Sequence, residues 1–292
     1  MDLNLPKHPD ARYFAKLFKR DSYRSFRLDV EAVIAGLATP FERGKAFEVW
    51  AEGFLVAVEG LDPRGLWRPE DDLLPRLERQ RLGLPRADIG IDSVYLFETD
   101  GAYQFKFRIG RLNLTRDDLA TFLALAYQCQ FPNKIVVTNS ERIDSLTHHA
   151  VTLIRGSRLD ELSPEQLGQI ADYLQARPVK KDNLLEPRQD QFEAVCEINH
   201  LLRQSSRAQE YGFCGTGKTL VQLWLMESRA PRTTLVLVPS LWLLSQIRND
   251  WLEQRRTPFM YRCICSDEKI KREDGEITLD DCNFPVFTRP RI

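Results

Sequence analysis

Two sets of residues in this chain have the types and spacing to do chemistry on phosphates. In "GFCGTGKT", Gly212, Gly215 and Gly217 lead, with Thr216 among them, into Lys218 and Thr219. Glycines at this spacing let backbone N–H groups converge on phosphate oxygens at a helix N-terminus. Lys218 would reach the β- and γ-phosphates, and the Thr219 hydroxyl would ligate magnesium. Placed between a strand and a helix, the pattern is specific for a nucleotide such as ATP. The second set is Glu48, Asp92, Gln104 and Lys106. Hydrolysis of a phosphodiester needs a hard cation held by oxygen atoms and a positive group beside the attacking water. Asp92 offers a carboxylate, Gln104 a neutral carbonyl, and Phe105 its backbone oxygen. Lys106 would orient or help deprotonate the water. Glu48 would reach the metal, Mg2+ or Mn2+, directly or through water. Gln104 and Lys106 stand two apart, on one face of a strand. The spacing alone is a weak signal and fits better a surface hairpin with its polar residues turned outward.

The surrounding pattern supplies elements to position both sets. Phe47, Trp50, Phe54 and Val58 recur at helical spacing and predict an amphipathic helix over 42–58, carrying Glu48. Two alternating runs in "DSVYLFETDGAYQFKFR" flank Asp100-Gly101, which predicts a hairpin turning there. A helix from Thr115 to about Ala126, strands at "KIVVT" and "VTLI", and a helix from Pro164 to about Ala176 follow. The polar, proline-flanked "RPVKKDNLLEP" (177–187) predicts a seam between domains 1–180 and 181–292. Beyond it, helices at 188–202, 218–228 and 241–253 alternate with strands before the phosphate loop, at "TLVLVP" and at "FMYRCIC". That alternation predicts a parallel sheet with crossover helices.

Arg188, Gln191 and Ala194 in "PRQDQFEAV" resemble the adenine-reading Q motif of superfamily 2 helicases. Gln191 has both the donor and the acceptor that adenine's edge requires. "LVLVPSLWLLSQIRNDW" (235–251) resembles that superfamily's motif Ia, which contacts the nucleic-acid backbone, and "FPVFT" (284–288) resembles its motif Ib region. The resemblance covers residues 185–292 and implies a partial RecA-like parallel α/β domain that binds ATP. Glu210 stands in the strand entering the loop, where the family has an apolar residue. A carboxylate left unpaired in a central strand is costly, so Glu210 is expected at an exposed strand end or in a compromised half. Asp267-Glu268, 49 residues after Lys218, is the only candidate for an acidic box, and it reads as a loop after an intermediate strand. With no arginine finger and no second lobe following, the expectation is a truncated motor that binds ATP without hydrolysing it.

"FERGKAFEVWAEGF", "DIGIDSVYLFETDGAYQFKFR", "KIVVTNSERI" and "TLIRGSRLDEL" occur in the order of an Mrr-like restriction endonuclease domain of the PD-(D/E)xK type, over residues 41–162. The resemblance implies a restriction-endonuclease-like mixed-sheet domain that cuts double-stranded DNA with a divalent metal, with Gln104 replacing the acid of the general pattern. Nuclease and motor together resemble the front end of single-chain, ATP-dependent restriction enzymes of the type I-like or type ISP kind. The second motor lobe, methyltransferase and target-recognition parts of such enzymes would then be missing regions or partner subunits.

Composition sets the outer bounds. The 292 residues suit two domains, and 43% hydrophobic and 28% charged residues with a formal net charge of −1 are ordinary for a soluble chain. The sequence shows no apolar run of membrane-spanning length and no signal peptide. The six cysteines and four histidines have no metal-ligand spacing, which favours a reduced, cytoplasmic protein without structural zinc. Between Arg12 and Arg27 lie six basic residues and one acid, with Tyr13, Phe14, Phe18, Tyr23 and Phe26 interleaved. A solvated helix with an aromatic underside is the simpler reading; a phosphate-contacting helix is the other. Against the nuclease stands a remnant or adaptor that binds DNA and ATP without turning over either, and a third reading is a nuclease whose ATP module only senses nucleotide.

Overall fold

In the first half of the chain, β1 (Leu66–Trp67), β2 (Ser93–Leu96), β3 (Asp100–Lys106), β4 (Asn133–Thr138) and β5 (Thr152–Ile154) form one sheet in the order β1-β2-β3-β4-β5. The first three strands are antiparallel; β3, β4 and β5 run parallel. These coordinates are a computed structural model describing residues 6–69, 74–85, 90–96, 100–142, 151–177, 184–213, 215–257, 259, 261, 263–264, 269–272, 275–278 and 286–287.

Alternation along β3 and β4 divides the hydrophobic residues between two faces. Tyr103, Phe105, Ile135 and Val137 join a core with α3 (Pro40–Ala57) and α7 (Pro164–Leu174). Ala102 and Val136 join a second core with α5 (Arg116–Gln128). Helix α3 starts at Pro40, two residues before the expected start. Thr39 accepts from the Glu42 backbone N–H, Glu42 returns the bond, and Pro40 presets the first helical residue. Ser163 and Pro164 open α7 in the same way. Trp50 fills the centre of the first core, its ring centroid 4.7 Å from Phe26, 5.8 Å from Phe54 and 6.1 Å from Phe47.

Shorter helices complete this layer: α1 (Ala11–Phe14), α2 (Glu31–Ala35), α4 (Arg76–Leu82) and α6 (Gly156–Asp160). Arg111 ties two of them to the end of β3, bonding Glu31 of α2 at 2.7 Å and Asp160 of α6 at 2.6 Å. The basic segment 12–27 is not one helix. Helix α1 ends at Phe14, and a π-helical turn, Phe26–Val30, leads into α2. Its aromatic side does face inward, with Phe14, Phe18 and Phe26 buried and Tyr13 exposed.

The hairpin expected at Asp100-Gly101 turns earlier. Both residues lie inside β3, opposite Leu96 and Tyr95, so they do not form the turn, and residues 97–99 lie outside the described residues. Asp100 is held in the ladder by Arg81 at 2.5 Å and by the Asn133 amide, which donates to its carbonyl at 3.1 Å.

The second half contains α8 (Gln189–Gln204), α9 (Lys218–Arg229) and α10 (Leu241–Gln254), close to the expected helices. Val195 of α8 packs on Val221 and Trp224 of α9. The Trp251 indole N–H of α10 donates to the Thr219 carbonyl at 2.9 Å. The strands expected before the loop and at 234–239 have no ladder here, and Leu235 and Leu237 are 81% and 83% exposed. A parallel strand is normally covered on both faces, and no described strand pairs with this one. Beyond α10, β6 (Cys263–Ile264) pairs in parallel with β9 (Val286–Phe287), and β7 (Lys269–Arg272) pairs with β8 (Gly275–Thr278). By contacts, Met1–Lys180 with Met260–Ile264 and Asp280–Ile292 form one unit, and Lys181–Phe259 with Cys265–Leu279 the other. Among the described residues, no helix is long and apolar enough to cross a membrane.

Trp50→Ala should remove about 3–5 kcal/mol of stability, the range for emptying a large aromatic site in a core, read as a shift in urea midpoint. Tyr13→Ala, at an exposed site, should change it by about 0.5 kcal/mol or less. Equal midpoints for the two variants would mean that Trp50 is not the core's central residue.

Candidate functional site

The antiparallel register of β2 and β3 sets Asp92, just before β2, beside Gln104. The Asp92 N–H donates to the Tyr103 carbonyl at 3.0 Å. In return, one Asp92 carboxylate oxygen, Oδ2, accepts from the Phe105 N–H at 2.6 Å and from the Gln104 side-chain amide. The aspartate is therefore locked to β3 by its own backbone and side chain. Gln104 is almost fully buried, at 3% exposure.

Glu48 reaches this strand end from α3. Its Oε2 accepts from Lys45 Nζ at 2.8 Å, one turn earlier on the helix, and lies 3.4 Å from His8 Nε2. His8 Nδ1 accepts the Asp10 N–H at 3.1 Å, so in neutral His8 the proton sits on Nε2 and points to Glu48. One turn further along α3, buried Glu52 accepts from the Tyr173 hydroxyl at 2.9 Å and the Lys7 N–H at 3.1 Å, anchoring the segment that carries His8.

The two carboxylates are tuned in opposite directions. Burial raises the Glu48 pKa, but hydrogen bonds from His8 and Lys45 outweigh it, and the net shift is downward. Burial pushes Asp92 up, the charge of Glu48 pushes it further, and the Phe105 N–H with Lys106 and Lys45 only partly offsets this; the carboxyl titrates at about 7. Asp92 thus senses Glu48, Lys106 and Lys45 together. The structure brings all four predicted residues, Glu48, Asp92, Gln104 and Lys106, to one place. It adds two that the sequence reading did not name. Lys45 had a legible signal, its i,i+3 spacing from Glu48 on a helix. His8 is 40 residues from Glu48 and had none.

The donor chemistry suits a hard divalent cation. Asp92 and Glu48 each commit a single oxygen to the protein, and among the described residues Asp92 Oδ1, Glu48 Oε1 and Gln104 Oε1 have no hydrogen-bond partner. Oxygen ligands of this kind fit Mg2+ or Mn2+. Among the described residues, no three His, Cys, Asp or Glu side chains gather as a metal cluster. The third donor here is an amide, which adds no charge.

In the second unit, the phosphate loop leads directly into α9. Gly215 and Gly217 have φ near +80°, a conformation that side chains with a Cβ rarely adopt. Gly217 has a second constraint, since a Cβ there would lie 2.4 Å from the Gln191 amide nitrogen. Lys218 Nζ donates to the Gly212 and Phe213 carbonyls at 3.0 and 2.8 Å, and the Thr216 hydroxyl donates to Phe213 at 2.9 Å. Cys214 lies outside the described residues, as does Asp267-Glu268.

Gln191, the expected adenine reader, also holds the phosphate loop. Its amide donates to the Thr216 carbonyl at 2.8 Å and its oxygen accepts the Arg188 N–H at 3.0 Å, so it braces the loop against α8. Arg188 adds a bond of 2.9 Å to the same carbonyl. Each Gln191 polar atom keeps capacity for one further hydrogen bond. Glu210 is half-buried; burial raises its pKa, and Lys218 partly offsets that. It stands in no described strand, and the charge of Lys218 acts on it.

Residues 184–290 match the family model described as "Type III restriction enzyme, res subunit" (ResIII), a helicase-like domain. The match does not reach residues 41–162. A comparison with curated proteins finds no match. Among solved structures, the chain resembles one titled "ATP-dependent Type ISP restriction-modification enzyme LlaBIII bound to DNA", at a TM-score of 0.56 and 16% identity, covering 88% of this chain. It spans only 16% of that enzyme's chain. At this identity the likeness speaks for the fold alone.

A carboxyl raised from 3.8 to about 7 makes stability depend on pH in a defined direction. Between those values, folded Asp92 holds a proton that the unfolded chain has released, so stability falls as pH rises, by up to about 4 kcal/mol at 1.36 kcal/mol per unit. Glu48, shifted down, acts only below about pH 4.5. Without divalent cations, Asp92→Asn should reduce the slope of the urea midpoint between about pH 4 and 7, leaving a slope of the same sign from Glu52, whose pKa burial also raises. A wild-type midpoint that rises over this range would contradict the assignment.

Proposed function

We propose that the first unit is a metal-dependent DNA endonuclease joined to an ATP-binding, helicase-like domain of restriction type. The observation that carries the nuclease is the meeting of Glu48, Asp92, Gln104 and Lys106 at the end of β3, in the arrangement that phosphodiester hydrolysis needs. The ResIII match and the Walker A geometry support the ATP-binding half.

Asp92, Glu48 and Gln104 would hold Mg2+ or Mn2+ through their uncommitted oxygens. When bound, that ion would polarise the scissile phosphate and lower the pKa of an attacking water. Lys106, whose charge Asp92 senses, is the group that orients the water. Lys45 and His8 keep Glu48 ionised, and the Phe105 N–H fixes the orientation of Asp92. In the other half, loop N–H groups and Lys218 would hold the ATP phosphates, and Thr219 would face their magnesium. Double-stranded DNA is the proposed substrate, and the remaining parts of a restriction enzyme, on this or another chain, are the proposed partners. The rival reading, an adaptor that binds DNA and ATP without turnover, draws on the amide at Gln104.

Asp92→Ala should abolish metal-dependent cutting of plasmid DNA, and Lys106→Ala should slow it by about 10²–10⁴-fold, the usual contribution of a positioned proton-transfer group. Both variants should keep the wild-type circular dichroism spectrum. Undiminished cutting by Asp92→Ala would remove the site, whereas an inactive wild type that still binds DNA would establish the adaptor.

In the second unit, Lys218→Ala should weaken ATP binding by about tenfold to a hundredfold, from loss of a charge-assisted hydrogen bond. Isothermal titration would check this. Unchanged affinity would place ATP elsewhere or nowhere on the chain.

A further inference from the structure

Behind Glu48, the N-terminal segment and the end of α7 enclose a cleft of about 870 Å³ that the nuclease site does not use. Arg12, Lys16, Lys19 and Arg177 line it, all exposed. Among the described residues none of these four side chains has an acidic or hydrogen-bonding partner. Two further basic residues in the wall are already engaged. Arg20 pairs with buried Asp172 at 2.6 Å, and Lys7 donates to the Arg64 carbonyl at 3.1 Å. These two fix the wall, leaving the other four to act on a ligand. No Asp or Glu lines the cleft among the described residues.

We propose that this cleft is a docking site for the phosphate backbone of double-stranded DNA, leading toward Glu48 and Asp92. Four uncompensated cations gathered around one concavity repel each other and attract polyanions. The rest of the wall is proline, alanine, leucine and glutamine with the buried His8, whose two ring nitrogens are engaged by Glu48 and the Asp10 N–H, and no Phe, Tyr or Trp lines it among the described residues. Proteins that grip single strands stack bases on aromatic side chains, and base reading in a duplex needs polar groups aimed into a groove. Here the Gln175 amide is spent on the Phe18 carbonyl at 2.7 Å, and what remains open is a set of exposed cations, which suits phosphates without regard to sequence. His8 gives the cleft its direction. It lines the cavity, and its ring reaches Glu48 at 3.4 Å. That direction rests on the nuclease reading; the binding itself does not.

The test is fluorescence anisotropy of the full chain with a labelled duplex, in chelator so that no cleavage occurs, over a salt series. Removing phosphate contacts flattens log K against log salt by about 0.9 per contact for duplex DNA. Lys16→Gln/Lys19→Gln/Arg177→Gln should flatten it by about two to three and weaken binding by about tenfold or more at moderate salt. The charge-keeping Lys16→Arg/Lys19→Arg/Arg177→Lys should retain both the slope and the affinity. An unchanged slope in the glutamine variant would overturn the proposal. So would a wild type that binds no duplex, binds a single strand of equal length more tightly, or binds only anionic phospholipid vesicles or tripolyphosphate. If the slope flattens as expected but Asp92→Ala still cuts, the cleft stands and the nuclease site falls.

Discussion

The hydrogen bond from the Phe105 N–H to Asp92 is the contact on which the first unit's site depends. Strand β2 begins at Ser93, so at the position before it the Asp92 carboxylate serves as acceptor for β3 in place of a neighbouring strand's carbonyl. That places one oxygen of a buried acid in the ladder and turns the other away from it. A carboxylate on a loop would have rotamers to choose among; this one is fixed by the same hydrogen bonds that fix the sheet. The mixed topology follows the same need. The antiparallel β2 brings Asp92 to the end of β3, and the parallel β4 and β5 leave room for α3 to cross the other face with Glu48.

Electrostatics then separates two otherwise similar acids. Glu48 has a lysine and a histidine on one oxygen and stays ionised. Asp92 has no direct cation partner, feels the charge of Glu48, and is pushed up to about 7. Environments that drive paired carboxylates apart are a mark of sites built for proton or metal chemistry. The basic cleft extends the logic outward, because the segment that carries His8 to Glu48 also carries Arg12, Lys16 and Lys19.

Much of this was legible in the sequence, and the exceptions have physical causes. Helices α3, α5 and α7 through α10 were readable because caps and apolar spacing agree locally, as with Thr39, Glu42 and Pro40. The proximity of Glu48, Asp92, Gln104 and Lys106 was readable because register converts sequence separation into proximity. The Asp-Gly signal misplaced the turn, because Arg81 and Asn133 hold Asp100 in the ladder through contacts distant in sequence. His8 was invisible for the same reason. The segment 12–27 read correctly on its aromatic side, yet its cations matter only because Arg177, far along the chain, completes their cleft. In the second unit, 234–239 has the composition of a buried strand, but composition does not supply the neighbours that a parallel ladder requires.

The amide at position 104 is coherent with the rest of the site. An acid there would set a second negative charge against Asp92, whose carboxyl is already held near 7 by burial and by Glu48. Instead, the Gln104 N–H donates to Asp92 and its oxygen stays uncommitted. In the proposed metal site the arrangement would exchange electrostatic pull on a cation for a pre-set aspartate, so that ionisation of Asp92 and cation binding would become one coupled event. Below about pH 7 the proton would compete with such a cation for Asp92; above it the carboxylate would be free to bind. Lys106 gains from the same choice, because one fewer carboxylate nearby leaves its charge less neutralised where the attacking water would stand.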